Sequence, residues 1–171
     1  MQNKCIWFLG LSGAGKTTIS EALGNELKAM GRQVVILDGD ILRKGLNSNL
    51  GFTDEDRTEN VRRTAEVANL FLQQGFWVIV ALITPLEKMR ESNRRILGKA
   101  YFQVFVDTPL SICQLRDPKG LYAKVTKEGL LNFTGIDSAF EKPSQSDLDL
   151  KTELISVKDT IYELLEKLDL R

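Results

Sequence analysis

One short run near the N-terminus constrains this chain more than anything else in it: Gly10-Leu-Ser-Gly-Ala-Gly15-Lys16-Thr17, a G-x-x-x-x-G-K-[ST] pattern. Its context makes it informative. The apolar run Cys5-Ile6-Trp7-Phe8-Leu9 leads into it and reads as a buried strand. Ile19, Leu23, Leu27 and Met30 follow at helical spacing, with Gly31 as the stop. Glycines let backbone N–H groups curl around phosphate oxygens, and a helix start adds positive potential. Lys16 has the reach for outer phosphates, and the Thr17 hydroxyl suits Mg²⁺. A chance glycine-rich turn would not have strand and helix both in register.

The rest of the chain repeats the alternation. Residues 34–37 form a second strand that ends at Asp38. Thr53-x-x-Asp56 is a capping box, and Val61, Ala65, Ala68 and Leu72 follow on one helical face up to Gly75. Residues 76–83 read as a third strand stopped by Thr84-Pro85, and Met89, Ile96 and Leu97 mark a helix rich in Arg and Lys. Residues 102–106 form a fourth strand ending at Asp107, with a short helix over 110–115. From 116 to 145 there is little period, with Gly120, Gly129, Gly135, Pro118 and Pro143; so long a stretch reads as a functional lid. A short strand at 148–150 precedes a helix capped by Ser156-x-x-Asp159, with Val157, Ile161, Leu164 and Leu168 as its apolar face. Strands alternating with helices predict an α/β fold with a mainly parallel five-stranded sheet, with ligands at the carboxyl ends of the strands. A length of 171 residues fits one domain.

Composition removes whole classes of chemistry. There is no histidine, so a Ser–His–Asp triad, a His–zinc site and a histidine pH switch are excluded. Two cysteines, Cys5 and Cys113, make neither a disulfide framework nor a zinc cluster and read as buried thiols in a reducing compartment. Lys plus Arg and Asp plus Glu both number 23, so general binding to nucleic acid or anionic membrane is not expected. The longest apolar run, 76–83, is far short of a membrane span, and the expected compartment is the cytoplasm.

Several polar groups could carry the chemistry. Asp38-Gly39-Asp40 puts two carboxylates just after a strand, to hold Mg²⁺ or take a proton; a turn with solvated acids is the competing reading. Asp107 also ends a strand and could play the same part, but before Thr-Pro it reads rather as a turn or helix start. Arg43, Arg57, Arg62 and Arg63 are anion ligands or a solvated helix face, and Lys88, Arg90, Arg94 and Arg95 read as a solvated or interface face. No Asn-Lys-x-Asp guanine motif follows. A small chain with a phosphate loop and a glycine-rich lid suggests a small-molecule phosphotransferase.

Gly10 to Thr18, Asp38-Gly-Asp-Ile-Leu-Arg43-Lys-Gly-Leu46 and Leu50-Gly-Phe52-Thr-Asp-Glu-Asp-Arg57-Thr-Glu-Asn60-Val-Arg-Arg63 together resemble the adenylylsulfate kinase family. So do Phe105-Val-Asp-Thr-Pro109, Arg116-Asp-Pro-Lys-Gly-Leu-Tyr122 and Asn132-Phe-Thr-Gly-Ile-Asp137. The blocks run in family order from about residue 4 to 152. The resemblance implies a P-loop nucleotide-kinase-like three-layer fold with a lid. It implies transfer of the γ-phosphoryl of ATP, with Mg²⁺, to the 3′-hydroxyl of adenosine 5′-phosphosulfate (APS), and a homodimer.

It also implies residue roles. Gly10, Leu11, Ser12, Gly13, Ala14, Gly15, Lys16, Thr17 and Thr18 would cradle ATP, with Arg116 against its adenine. Asp38 would orient or deprotonate the 3′-hydroxyl, with Lys16 and Thr84 beside it in the catalytic set. Thr17 and Asp40 would serve the metal. Arg43, Arg57 and Asn60 would hold the phosphosulfate, and Phe52 and Phe133 would sandwich the acceptor adenine. Ile83 and Thr84 would stand beside the acceptor, and Lys119 and Lys124 would be the lid's charges. Departures from the family pattern are Thr84 in place of serine, Ala123 and Thr126 in place of lid cations, and Glu128-Gly129 in inverted order. An N-terminal extension that many members carry is expected to be missing. Two alternatives stay open: a paralogue acting on another nucleotide with a charged tail, such as cytidine diphosphoramidate, and a nucleotide-binding regulatory protein without turnover.

Overall fold

The computed structural model describes residues 3–128 and 133–170, the side chains of 126–128 excepted. Strands β1 (Cys5–Leu9), β2 (Val34–Asp38), β3 (Trp77–Ala81), β4 (Tyr101–Val106) and β5 (Leu148–Leu150) form one sheet in the order β2-β3-β1-β4-β5. Every pairing is parallel, as the alternation predicts. Parallel strands need crossovers, and the helices that supply them cover both faces.

Pleating sorts the central residues between those faces. In β1, Ile6 and Phe8 join one core with Ile19, Leu23 and Leu27 of α1 (Lys16–Ala29), while Cys5, Trp7 and Leu9 join the other. The second core holds Val61, Ala65 and Ala68 of α3 (Asp54–Gln73) and Met89 and Leu97 of α4 (Glu87–Leu97). Ile161, Leu164 and Leu168 at the C-terminal end, from α7 (Val157–Lys167) and the residue that caps it, pack beside α1. Both cysteines are buried and free. The caps read from sequence are present: the hydroxyls of Thr53 and Ser156 accept from the N–H groups of Asp56 and Asp159.

Four expectations need correction. The third strand covers Trp77–Ala81 rather than 76–83, because residues 82–85 leave the sheet to line the strand tips. A short helix, α2 (Gly39–Lys44), follows β2 directly, since Asp38 accepts from the Asp40 N–H and so caps it. After α5 (Leu110–Arg116), the supposedly irregular lid contains α6 (Leu121–Glu128); the Asp117 carboxylate accepts from the N–H groups of Tyr122 and Ala123, and Leu121 and Val125 pack on the core. Arg90 is no solvated residue: it is fully buried in α4. The lid positions Gly129 and Asn132, and the side chain of Thr126, lie outside the described residues.

Candidate active site

All five strands point their carboxyl ends at one side, and the loops there enclose a cavity of 820 Å³, within the usual range for small-molecule sites. The loop after β1 forms its floor. Gly13 has φ +76°, and a Cβ there would come within 2.8 Å of the Cys113 carbonyl oxygen, so only glycine lets the loop lie against α5.

The loop's carbonyls are pinned. Lys16 Nζ donates to the carbonyls of Gly10 (2.9 Å) and Leu11 (2.7 Å), Tyr122 of α6 donates its hydroxyl to the Ser12 carbonyl (3.0 Å), and Ala14 O is met by threonine hydroxyls. Burial, and secondarily the Lys119 ammonium, lowers the Lys16 pKa to about 8.

Asp38 joins the two halves of the cavity. Its Oδ2 accepts from the Thr17 hydroxyl at 3.0 Å, and its Oδ1 accepts from the Asp40 N–H at 2.9 Å. The acid at the β2 tip therefore touches the start of α1. The competing reading of Asp38 as a turn acid holds in one respect, since it caps α2, yet the same carboxylate lines the cavity. Asp40 is paired with Lys119 from the lid.

Opposite lie the arginines. Arg43 donates to the carbonyls of Leu50 (3.1 Å) and Gly51 (2.9 Å), and Arg57 donates to the carbonyl of Phe52 (2.9 Å) and to the Thr134 hydroxyl (2.7 Å). Both guanidiniums face the half-exposed Phe52 ring, at 4.4 and 5.7 Å from its centre. Burial lowers the pKa of both, and for Arg57 the neighbouring Arg43 adds to it, but a guanidinium stays charged. Asn60 accepts from the Asn47 amide at 2.9 Å. Phe133 is buried edge-on against Tyr122, 4.9 Å between centres. Arg62, by contrast, pairs with Glu59 on the exposed face.

Thr84 takes φ +48°, a left-handed conformation that costs energy for a β-branched residue. Two contacts hold it: the Trp7 indole N–H donates to its hydroxyl at 2.8 Å, and Arg90 donates to its carbonyl at 3.2 Å. Arg90 also donates to Pro85 O and Glu141 O and pairs with Glu87 at 2.9 Å. A buried arginine serving three carbonyls on one wall of the site is why the solvated-face expectation fails.

Of the residues singled out in the sequence, Ser12, Gly13, Gly15, Lys16, Thr17, Thr18, Asp38, Asp40, Arg43 and Phe52 line the cavity. So do Arg57, Asn60, Ile83, Thr84, Arg116, Lys119 and Phe133. Gly10, Leu11, Ala14 and Lys124 do not; Ala14 is buried and Lys124 is exposed. Thr134, inside a block quoted for the resemblance but given no role, also lines it, and so does Thr152, which carried no sequence signal because a threonine in a loop declares nothing until its partners are known.

A family model for adenylylsulphate kinase matches residues 2–151. The chain belongs to the adenylylsulfate kinase family. An adenylyl-sulfate kinase of Paraburkholderia xenovorans is 50% identical over 95% of this chain and 91% of its own. One from Pseudomonas aeruginosa is 53% identical over 86% of this chain and 76% of its own. Among solved structures, the Mycobacterium tuberculosis APS kinase in complex with AMPPNP and APS superposes with a TM-score of 0.94. It is 42% identical, with 98% of each chain covered.

Proposed function

We propose that this chain is an ATP-dependent adenylylsulfate kinase, phosphorylating the 3′-hydroxyl of APS to give 3′-phosphoadenosine 5′-phosphosulfate. The observation that carries the mechanism is the 3.0 Å contact between Asp38 and Thr17, which brings the acceptor-side acid to the edge of the phosphate cradle. The 3′-hydroxyl oxygen attacks the γ-phosphorus in line, its proton passes to Asp38 or is oriented by it, and the bond to the β-phosphate oxygen breaks to release ADP. Lys16 neutralises charge on the transferring group. Arg43 and Arg57 turn from loop carbonyls to the phosphosulfate, with Asn60 beside them, and Phe52 and Phe133 flank the acceptor base. Arg116 lies along the ATP base, Ile83 and Thr84 form the acceptor wall, and Lys119 leaves Asp40 when nucleotides enter.

The donor set fits Mg²⁺. Thr17 and Asp40 offer hard oxygens, and no group of three or more His, Cys, Asp or Glu able to cage a metal occurs among the described residues; this suits an ion that takes phosphate oxygens and water as its other ligands. Bound there, the ion would offset phosphate charge.

Residues 1–171 work as one kinase domain with 116–145 as its lid, and Lys124 is a lid charge. The buried free thiols suit the cytoplasm, and no helix among the described residues is long and apolar enough to cross a membrane. A homodimer is the assembly the family resemblance favours; a relative from Thiobacillus denitrificans is hexameric, and solution mass decides.

The test is a panel of APS, cytidine diphosphoramidate and nucleoside monophosphates with MgATP. Phosphorylation of APS above the others is expected, and preference for a cytidine acceptor would replace the proposal. In the same assay Asp38→Asn, which still caps α2, should lower kcat by about 10²-fold or more.

A further inference from the structure

The tips of three strands converge on one carbonyl of the phosphate loop. Ala14 O lies 3.1 Å from the hydroxyl of Thr108, two residues past β4, and 3.0 Å from that of Thr152, two residues past β5. The two hydroxyls are 2.7 Å apart, so one of their protons lies between them. Arg116 Nη1, which only donates, lies 2.9 Å from the Thr152 hydroxyl, and Nη2 donates to the Thr152 carbonyl at 3.1 Å. Each threonine has a single proton, and the second is left for Ala14 O. In either arrangement a chain of hydrogen bonds runs from Arg116 through Thr152 to the loop, beside a longer direct one from Arg116 Nη1 to Ala14 O at 3.4 Å.

That carbonyl matters because of the peptide it belongs to. In a trans peptide the C=O and the following N–H point in opposite directions. Holding Ala14 O toward the threonines turns the Gly15 N–H away from them. Gly15 has φ +107°, a region glycine enters freely, and the nearest neighbours of a Cβ there would be the Thr152 and Arg116 side chains at 3.8–3.9 Å, so the plane is set by what holds Ala14 O rather than by the glycine itself. Fixing it in advance removes an ordering cost from nucleotide binding.

We infer that Thr152 is a positioning residue for the donor nucleotide, setting the Ala14–Gly15 peptide and the Arg116 guanidinium together. The inference rests on the proposed ATP-dependent transfer and adds a residue just beyond the span matched by the family model. Thr152→Val keeps the shape and deletes the hydroxyl. It should raise KM for ATP about tenfold, the scale of one positioned hydrogen bond, with KM for APS and kcat at saturating ATP within about twofold. Thr152→Ser should restore the wild-type value. Inorganic tripolyphosphate, which has no base, should also bind the valine variant several-fold more weakly by calorimetry, and Thr152→Ala should repeat the loss. Unchanged ATP affinity, or weaker ATP with unaltered tripolyphosphate, overturns the assignment. The tripolyphosphate titration reads Thr152 without any acceptor, so it stands apart from a failure of the wild type to phosphorylate APS.

Discussion

Around the phosphate loop, carbonyls accept from Lys16, from Tyr122 and from the paired hydroxyls of Thr108 and Thr152, which share one proton and give the other to Ala14 O. Around Phe52 the same bookkeeping runs the other way. There the groups that pin carbonyls are Arg43 and Arg57, the cations expected to grip the acceptor, and they lie on the Phe52 ring as well. On the proposed roles, Tyr122 and the two threonines keep the loop's shape while Lys16 alone gives up loop carbonyls for phosphate, whereas both cations of the acceptor half must exchange carbonyl partners when its ligand arrives. Trading a neutral carbonyl for a dianion favours the exchange, because a guanidinium meets a phosphate with two parallel hydrogen bonds and adds charge attraction to them. One cavity can thus combine a braced cradle with a switchable grip.

The largest effect comes from breaking the donor half at Lys16. Lys16→Ala removes charge neutralisation and two carbonyl contacts, and kcat should fall by about 10³-fold or more in a steady-state coupled assay, with the fold kept by circular dichroism. Near-normal turnover would show that the loop does not cradle the reacting phosphates.

A smaller effect separates the halves. Phe52→Ala removes the ring on which both arginines rest and should raise KM for APS about tenfold or more, on the scale of base stacking. KM for ATP should stay within about twofold. Equal losses for both ligands would mean that the two halves are not independent.

The smallest effect is a pH dependence confined to the donor half. The Lys16 pKa of about 8 in the free protein rises when phosphate binds beside it, so ATP binding takes up a proton above that pH. Affinity for ATP should be flat below about pH 7.5 and weaken several-fold by pH 9, while Lys16→Met, already weak, shows no such slope. The stability sign is opposite. Between about 8 and 10.5 the unfolded chain holds a proton that the folded chain has lost, so this group adds stability to the free protein as pH rises through that window. Calorimetry at three pH values tests the first, and thermal melting the second.

Whatever depends on neighbours along the chain can be read without the fold. The glycine-rich loop, its lysine, the five strands and the caps at Thr53 and Ser156 were all legible, because a loop between a strand and a helix and a period of two or 3.6 are local facts. Resemblance then supplied most of the cavity lining. Which polar groups serve carbonyls emerges only once the elements are packed. Arg90 looks like a surface arginine in its helix, yet the wall at 84–85 and residue 141 need a buried donor. Helix α6 hid behind Pro118 and Gly120 and owes its place to the Asp117 cap and its contact with Ser12. Thr108 and Thr152 are ordinary residues 44 positions apart until β4 and β5 pair and bring their hydroxyls together over Ala14. Hydrogen bonds between distant loops depend on where the sheet's register places each strand end, and no local pattern encodes that.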